Sequence, residues 1–345
     1  MSKHAVLRLP SQGSWDNLVE AKEPRPSAGK HEVLIKVRSV ALNFRDIAIA
    51  TGKYPFPVKE NLVPGSDLAG DIVQLGESVS GLQEGDKVVV AFDPTTTYGP
   101  IKSWANALGG PVDGVLSEYV VAPESGVVKV PNESTLSYAQ WASVVCTGTT
   151  VWNALYGINR LMPGHTVLFQ GTGGVSITGL ALAKAAGAQT IITSSSDEKL
   201  QHVKAKYGVD HTINYKKTPD WAAEVQKITN GQGVDFILEN GGSGTIRQSL
   251  NAIAFGGCIS VIGFLSSASQ EEMPDVAGLA LAKGAVVRGI IIGSKQQLEE
   301  AVRFIGVRNL PMPIDKTFTF CRDQVIDAMK YLVSGQHIGK VCITF

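Results

Sequence analysis

The sequence predicts an α/β protein, with a small β-barrel joined to a doubly wound parallel sheet. Three observations carry this reading. The first 125 residues hold short strands separated by glycine and proline turns. From about residue 135, strands and helices alternate at βαβ spacing. One of those strands runs into a helix through a glycine-rich turn, Gly171-Thr172-Gly173-Gly174-Val175-Ser176.

Composition sets the limits. At roughly 100–200 residues per domain, a chain of 345 residues suggests two or three domains. Apolar residues at 44% against 18% charged allow a large core. Lys+Arg and Asp+Glu are both 31, without charge blocks, which argues against a nucleic-acid or anionic-membrane binder. Glycine, 37 of 345, exceeds the usual ~7%, so the chain turns tightly in many places. The four cysteines, Cys146, Cys258, Cys321 and Cys342, form no C-x-x-C pair and no disulfide framework, which points to a reducing compartment. The start, Met1-Ser2-Lys3-His4, lacks a signal-peptide core, and no apolar run approaches membrane-spanning length. The expectation is a soluble, cytoplasmic protein.

In chain order, residues 33–40, 68–75 and 87–91 read as strands, by alternation or an unbroken apolar run. Pro24, Pro26, Pro64-Gly65, Gly76 and Gly85-Asp86 mark the turns. Residues 93–113, rich in Thr, Gly and Pro and without periodicity, read as a loop. Helix is expected over 138–156, then a buried strand at 166–169 and an alanine-rich helix at 177–186. Strand 190–193, helix 197–207, strand 236–238, helix 245–254 and strand 258–262 follow. A last strand at 286–292, a helix at 296–305 and a strand–helix–strand tail over 316–345 complete the chain.

The glycine turn carries the clearest chemistry. Gly171 allows the tight turn, and Gly173 and Gly174 let backbone approach a pyrophosphate. Thr172 and Val175 lie in the same turn, and the helix that follows offers free N–H groups. Ser176 stands at the last glycine of the pattern, a position that governs helix–strand packing. A dinucleotide site for NAD carries Asp or Glu about 20 residues further on. Here the second strand ends in Thr193-Ser194-Ser195-Ser196. Ser194 and Ser195 leave room for a 2′-phosphate, and Lys199 and Tyr215 stand ready to donate to it, so the expected cofactor is NADP(H). Asp197 and Glu198 are read as helix N-terminal charge.

Other motifs extend the picture: Pro64-Gly65-Ser66-Asp67, ending at Gly70; the spaced series Val73, Leu75, Gly76, Val79, Leu82, Gly85, Asp86, Val88; and Gly114 through Glu118-Tyr119. With the glycine-rich unit, these resemble the medium-chain dehydrogenase/reductase family over essentially the whole chain. The resemblance implies a GroES-like catalytic domain from residues 1–125 and 295–345, and a Rossmann domain over 126–294. It also implies an active site in the cleft between them and a small-molecule carbonyl substrate. It places Thr147 beside the nicotinamide and Lys340 near the pyrophosphate, with surface charge the alternative for Lys340. It adds Gly263, Phe264, Ile291 and Ile292 to the nucleotide positions.

The departures from the family are as informative. Zinc alcohol dehydrogenases of this family bind catalytic zinc through Cys, His and Cys, and those positions here are Asn43, Ser66 and Cys146. One soft ligand does not hold a site needing three. The structural-zinc lobe also lacks its cysteines, so no metal is expected. The segment from Leu42 to Tyr54 resembles the enoyl reductases of fatty-acid and polyketide synthases. The Lys and Asp that many of those carry are replaced by Phe264 and Gly293, which brings the chain closer to zinc-independent alcohol dehydrogenase and quinone reductase homologues.

Hydride delivery builds oxyanion character on the acceptor. Without a Lewis acid, aimed donors in a dry site must absorb it. The candidates are the Asn43 amide, the Arg45 guanidinium and the Tyr54 phenol, with Asp46 and Asp67 orienting them or relaying a proton. The structural alternatives are a turn cap for Asn43, an Arg45–Asp46 ion pair, a turn role for Asp67 and a packing role for Tyr54. The reading is reduction of a quinone or enone. A zinc-free alcohol dehydrogenase or ketone reductase is the alternative among enzymes, and a non-catalytic NADPH-binding sensor or structural homologue the alternative outside them. The apolar strand at 286–292 suggests a homodimer.

Overall fold

A computed structural model describes residues 2–345. Two compact units emerge: residues 2–149 with 292–345, and residues 150–291. Both ends of the chain therefore build one unit, and the other is an insertion.

In the first unit a seven-stranded sheet runs in the order Ile314–Thr319, Lys340–Thr344, Glu32–Ala41, Asp67–Leu75, Lys87–Val90, Val127–Lys129, with Tyr119–Pro123 also paired to Glu32–Ala41. Its interior is one cluster of buried aliphatic side chains, among them Ile35, Val37, Leu68, Ile72, Val88 and Val341. Two registers position the site described below. Ala41 lies opposite both Asp67 and Cys342. The residues just after Ala41, at the start of the Asp67 strand and at the start of the Lys340 strand thus share one sheet end.

In the second unit six parallel strands run in the order His211–Asn214, Gln189–Ser194, Thr166–Gln170, Val234–Glu239, Ile253–Val261, Val286–Gly289. Numbered along the unit this is 3-2-1-4-5-6, the order of dinucleotide-binding sheets, in which ligands sit where the order reverses. The strand Thr166–Gln170, which feeds the glycine turn, is buried along its length.

The boundary lies at 149/150 and 291/292, whereas the sequence reading set it at 125/126 and 294/295. Residues 126–149 belong with the first sheet for a visible reason. Val127–Lys129 pairs with Lys87–Val90, the Tyr138 hydroxyl donates to Asp71 at 2.5 Å, and Trp141 is fully buried. The helix expected over 138–156 is not uniform. It is α over Tyr138–Ser143, widens to a π-turn over Val144–Gly148 and returns to α over Thr149–Tyr156. The reading also missed a short helix, Phe44–Ala50, and the pair His211–Asn214 and Trp221–Ile228. Among the described residues no helix is long and apolar enough to cross a membrane.

Candidate active site

In the first unit, Asn43, Asp46, Ser66, Asp67, Cys146 and Lys340, all singled out from the sequence, converge. Asn43 precedes the helix Phe44–Ala50, and its backbone N–H donates to Asp46 Oδ2 at 2.8 Å, one half of a capping box. Its side chain turns toward the sheet end. Asn43 Nδ2 donates to Asp67 Oδ2 at 2.9 Å, and Asn43 Oδ1 accepts from Lys340 Nζ at 2.6 Å. Lys340 also donates to the Leu42 carbonyl at 2.6 Å, lies 4.0 Å from Asp67 and is only 3% exposed. It is an internal cation, not a surface charge.

Asp67 is fully buried, and Ser66 Oγ and the Cys146 backbone N–H complete its shell at 2.6 and 3.1 Å. Burial pushes its pKa up, against the pull of Lys340, Asn43, Ser66 and the Cys146 N–H. Desolvation, with the Asp67 charge next in weight, pushes the Cys146 thiol up to about 12. The π-turn that carries Cys146 also carries Thr147, whose hydroxyl donates to the Ser143 carbonyl at 2.7 Å. Such turns recur at functional sites.

The donor set does not suit zinc. At two of the three ligand positions stand an amide and a hydroxyl. Only the third, Cys146, is a soft ligand, one where three are needed, and Lys340 Nζ lies beside these groups. Among the described residues no three His, Cys, Asp or Glu side chains gather to hold a metal.

Arg45 and Tyr54 form a second arrangement on the same unit. Arg45 Nε donates to the Tyr54 hydroxyl oxygen at 3.0 Å, and Nη1 donates to the Leu108 carbonyl at 2.8 Å. The guanidinium lies 5.0 Å from the Tyr54 ring centroid and 4.8 Å from that of Phe92. Its Nη2 is buried without a partner against Gly110, where any Cβ would collide with it. Arg45 thus pairs with Tyr54 and the backbone rather than with Asp46. Asp46 is buried, with Oδ1 unpartnered, and burial pushes its pKa up to about 6. Phe56 and Trp104 stack at 4.4 Å and meet the Tyr54 ring edge-on. Trp104, Leu108 and Gly110 come from the loop that showed no pattern in the sequence. Its Thr-rich start folds around Asp93, which accepts from Thr95 N–H, Thr95 Oγ1 and Thr96 Oγ1 at 2.6–2.9 Å.

The second unit holds the glycine turn. Gly171 has φ +76°, in the left-handed region, and its N–H donates to the Thr193 carbonyl at 2.9 Å. No side chain caps the helix Gly174–Ala185, so its first N–H groups stay open to an anion. Thr172 is buried, while Gly173, Gly174 and Val175 are partly exposed. These features fit a dinucleotide pyrophosphate. Ser194 is buried at the end of its strand, Ser195 is half-buried, and the Ser196 hydroxyl caps the next helix by accepting from the Lys199 N–H. Tyr215, 41% exposed, donates its N–H to the Ser194 carbonyl at 3.1 Å. Asp197 is already taken: Asn214 donates to it at 2.6 Å and Lys217 pairs with it. Gly263 packs so close to the Asn240 carbonyl that a Cβ would collide, Phe264 is exposed and Ile291 is partly so. Ile292, a β-branched residue and part of the first unit, holds φ +44°, a strain of order 1–3 kcal/mol of the kind found at functional sites.

Comparison with known proteins agrees with this geometry. Residues 29–132 match the alcohol dehydrogenase GroES-like domain, and residues 174–306 match the zinc-binding dehydrogenase domain. A zinc-type alcohol dehydrogenase-like protein of Schizosaccharomyces pombe is 42% identical over 90% of both chains. A quinone oxidoreductase-like protein 2 homolog of Nematostella vectensis is 27% identical over 94% of this chain and 85% of its own. A crystal structure from Sinorhizobium meliloti 1021, assigned to the alcohol dehydrogenases, superposes with a TM-score of 0.89 at 37% identity, covering 100% of this chain and 99% of that one. The chain belongs to the medium-chain dehydrogenase/reductase superfamily of oxidoreductases.

Proposed function

We propose that the protein is a zinc-independent, NADPH-dependent oxidoreductase that reduces a conjugated carbonyl, a quinone or an enone. One observation carries this reading: Asn43 and Ser66, at two of the family's metal positions, are both hydrogen-bonded to Asp67, and Lys340 lies between Asn43 and Asp67. The strand end at Ser194 and Ser195, with Asp197 committed elsewhere, supports the phosphorylated coenzyme. The bound dinucleotide supplies hydride.

The chain's own groups manage the acceptor oxygen. The Tyr54 oxygen accepts from Arg45, so the phenol proton is free to donate to a developing oxyanion, with the guanidinium charge behind it. Asn43 keeps one Nδ2 hydrogen beyond its bond to Asp67. Asp46, Asp67 and Lys340 hold Asn43 in place, and the Leu108 carbonyl holds Arg45. Conjugated acceptors need only hydride at a soft carbon and such stabilisation, whereas simple ketones need stronger polarisation. The alcohol dehydrogenase-like relatives favour ketone reduction as a second reading. The strand Val286–Gly289 ends its sheet with one neighbour, which supports a homodimer formed along that edge.

NADPH oxidation with a panel of quinones, enones and ketones tests the proposal. Turnover with the first two supports it, and turnover with ketones alone moves the assignment to the second reading. Coenzyme binding without any turnover leaves a sensor or structural protein.

A further inference from the structure

Ser176 replaces glycine at the end of the turn, and its hydroxyl both donates and accepts. It donates to the Gln170 carbonyl at 2.6 Å and accepts from Asn240 Nδ2 at 3.0 Å. Asn240 Nδ2 also donates to that same Gln170 carbonyl at 3.0 Å. Gln170 and Ser176 are the residues by which the chain enters and leaves the turn at 171–175. One side-chain amide therefore bridges both ends of the loop.

Asn240 is itself held with unusual care. Its N–H donates to Gln170 Oε1 at 3.0 Å, and the Gly241 N–H donates to the same oxygen at 3.1 Å. Behind them lies Glu239, fully buried. Glu239 Oε1 accepts from the N–H groups of Gly241 and Gly242 at 2.9 and 3.0 Å, and from Thr245 Oγ1. Glu239 Oε2 accepts from Gln170 Nε2 at 2.7 Å and from Ser249 Oγ. Five neutral donors and no cation surround this carboxylate. A buried carboxyl group is costly unless its bonds are kept, and these bonds tie residues 239–242 to Gln170 and to the helix that follows. The same segment fixes a second loop: the carbonyls of Asn240 and Gly241 accept from the N–H groups of Leu265 and Ser266 at 3.2 and 2.8 Å.

We propose that Asn240, anchored by Glu239, is the positioning residue of the dinucleotide loop. Its amide sets the spacing between Gln170 and Ser176, and with it the aim of the free N–H groups at the start of the helix Gly174–Ala185. This rests on the reading that the loop binds a nicotinamide dinucleotide, and the consequence falls on the pyrophosphate rather than on the adenosine end.

The test is calorimetry on the full chain with two ligands, NADPH and 2′-AMP, which lacks the pyrophosphate. Should NADH be the coenzyme, NADH and adenosine replace the pair. Asn240→Ala is expected to weaken NADPH binding about tenfold, the net worth of a good buried hydrogen bond, and to leave 2′-AMP unchanged. Ser176→Ala, which removes one bond from the other side, is expected to act in the same direction by about threefold, and the double variant to be no worse than Asn240→Ala. Should Asn240→Ala fail to fold, the split seen with Ser176→Ala decides. Equal weakening of both ligands, or weakening of neither, overturns the proposal. A wild-type protein that binds no dinucleotide removes the underlying reading instead, a result distinct from either.

Discussion

Arg45 donates through Nε to the phenol oxygen of Tyr54 at 3.0 Å. That direction matters. A phenol that accepts from a guanidinium keeps its own proton to give. Tyr54→Phe is expected to lower kcat with a conjugated carbonyl by about 10²-fold, the low end for a placed proton donor, and to leave NADPH affinity unchanged. Arg45→Met should act in the same direction through Tyr54. Steady-state kinetics with coenzyme titration checks both, and a Tyr54→Phe enzyme with wild-type kcat rules the phenol out.

The Lys340–Asp67 pair predicts an asymmetric stability effect. Lys340→Met strands a fully buried carboxylate and should cost about 3–5 kcal/mol, the usual loss when one partner of a buried pair is removed. Adding Asp67→Asn should restore much of it, because Asn43 and the Cys146 N–H can still donate to an amide oxygen at the Oδ2 position while the Ser66 hydroxyl accepts from the new amide nitrogen. Urea unfolding of the single and double variants measures this, and two equal losses would count against a coupled pair.

Asp46 predicts a pH dependence. Burial raises its pKa from an ordinary 3.8 to about 6. The folded state therefore holds this proton more tightly than the unfolded chain. Its contribution to stability is fully present below pH 3.8 and is lost as pH rises through about 6. Asp46→Asn retains an acceptor for the Asn43 N–H without the charge. Relative to the wild type it should gain stability between pH 4 and 7, by on the order of 2–3 kcal/mol. Thermal unfolding across that range tests the sign; a variant that loses stability relative to the wild type as pH rises would refute it.

Coenzyme choice is tested at the strand end. Ser195→Asp places a carboxylate at the proposed 2′-phosphate site. Because like charges brought together cost several kcal/mol, preference should swing toward NADH by about 100-fold. An unchanged ratio of kcat/KM for the two coenzymes would move the 2′-phosphate site elsewhere.

Much of the fold was legible because it is written in periodic patterns. The strand Thr166–Gln170, the glycine turn and the helices after it follow from apolar runs, turn residues and spacing. Elements with weak signals were not. The helix Phe44–Ala50 hides in the apolar run Ile47-Ala48-Ile49-Ala50, which reads equally as strand, and only the Asn43-to-Asp46 spacing hints at a cap. The π-turn at Val144–Gly148 has no sequence signature, since its residues suit an α-helix as well. At the site, Asn43, Asp67, Arg45 and Tyr54 could be named, but their pairings could not. They depend on the register of Ala41 against Asp67 and Cys342, and on a loop whose Trp104 and Leu108 carry no local pattern. Beyond the family resemblance, Lys340 had one local clue: it is the lone charge in the otherwise uncharged strand Lys340–Thr344.

The most direct measurement is NADPH oxidation with a conjugated carbonyl by protein dialysed against a strong chelator, with zinc quantified in the same sample. The account predicts full turnover at substoichiometric zinc. Activity that falls as zinc is withdrawn and returns when it is added back would contradict it.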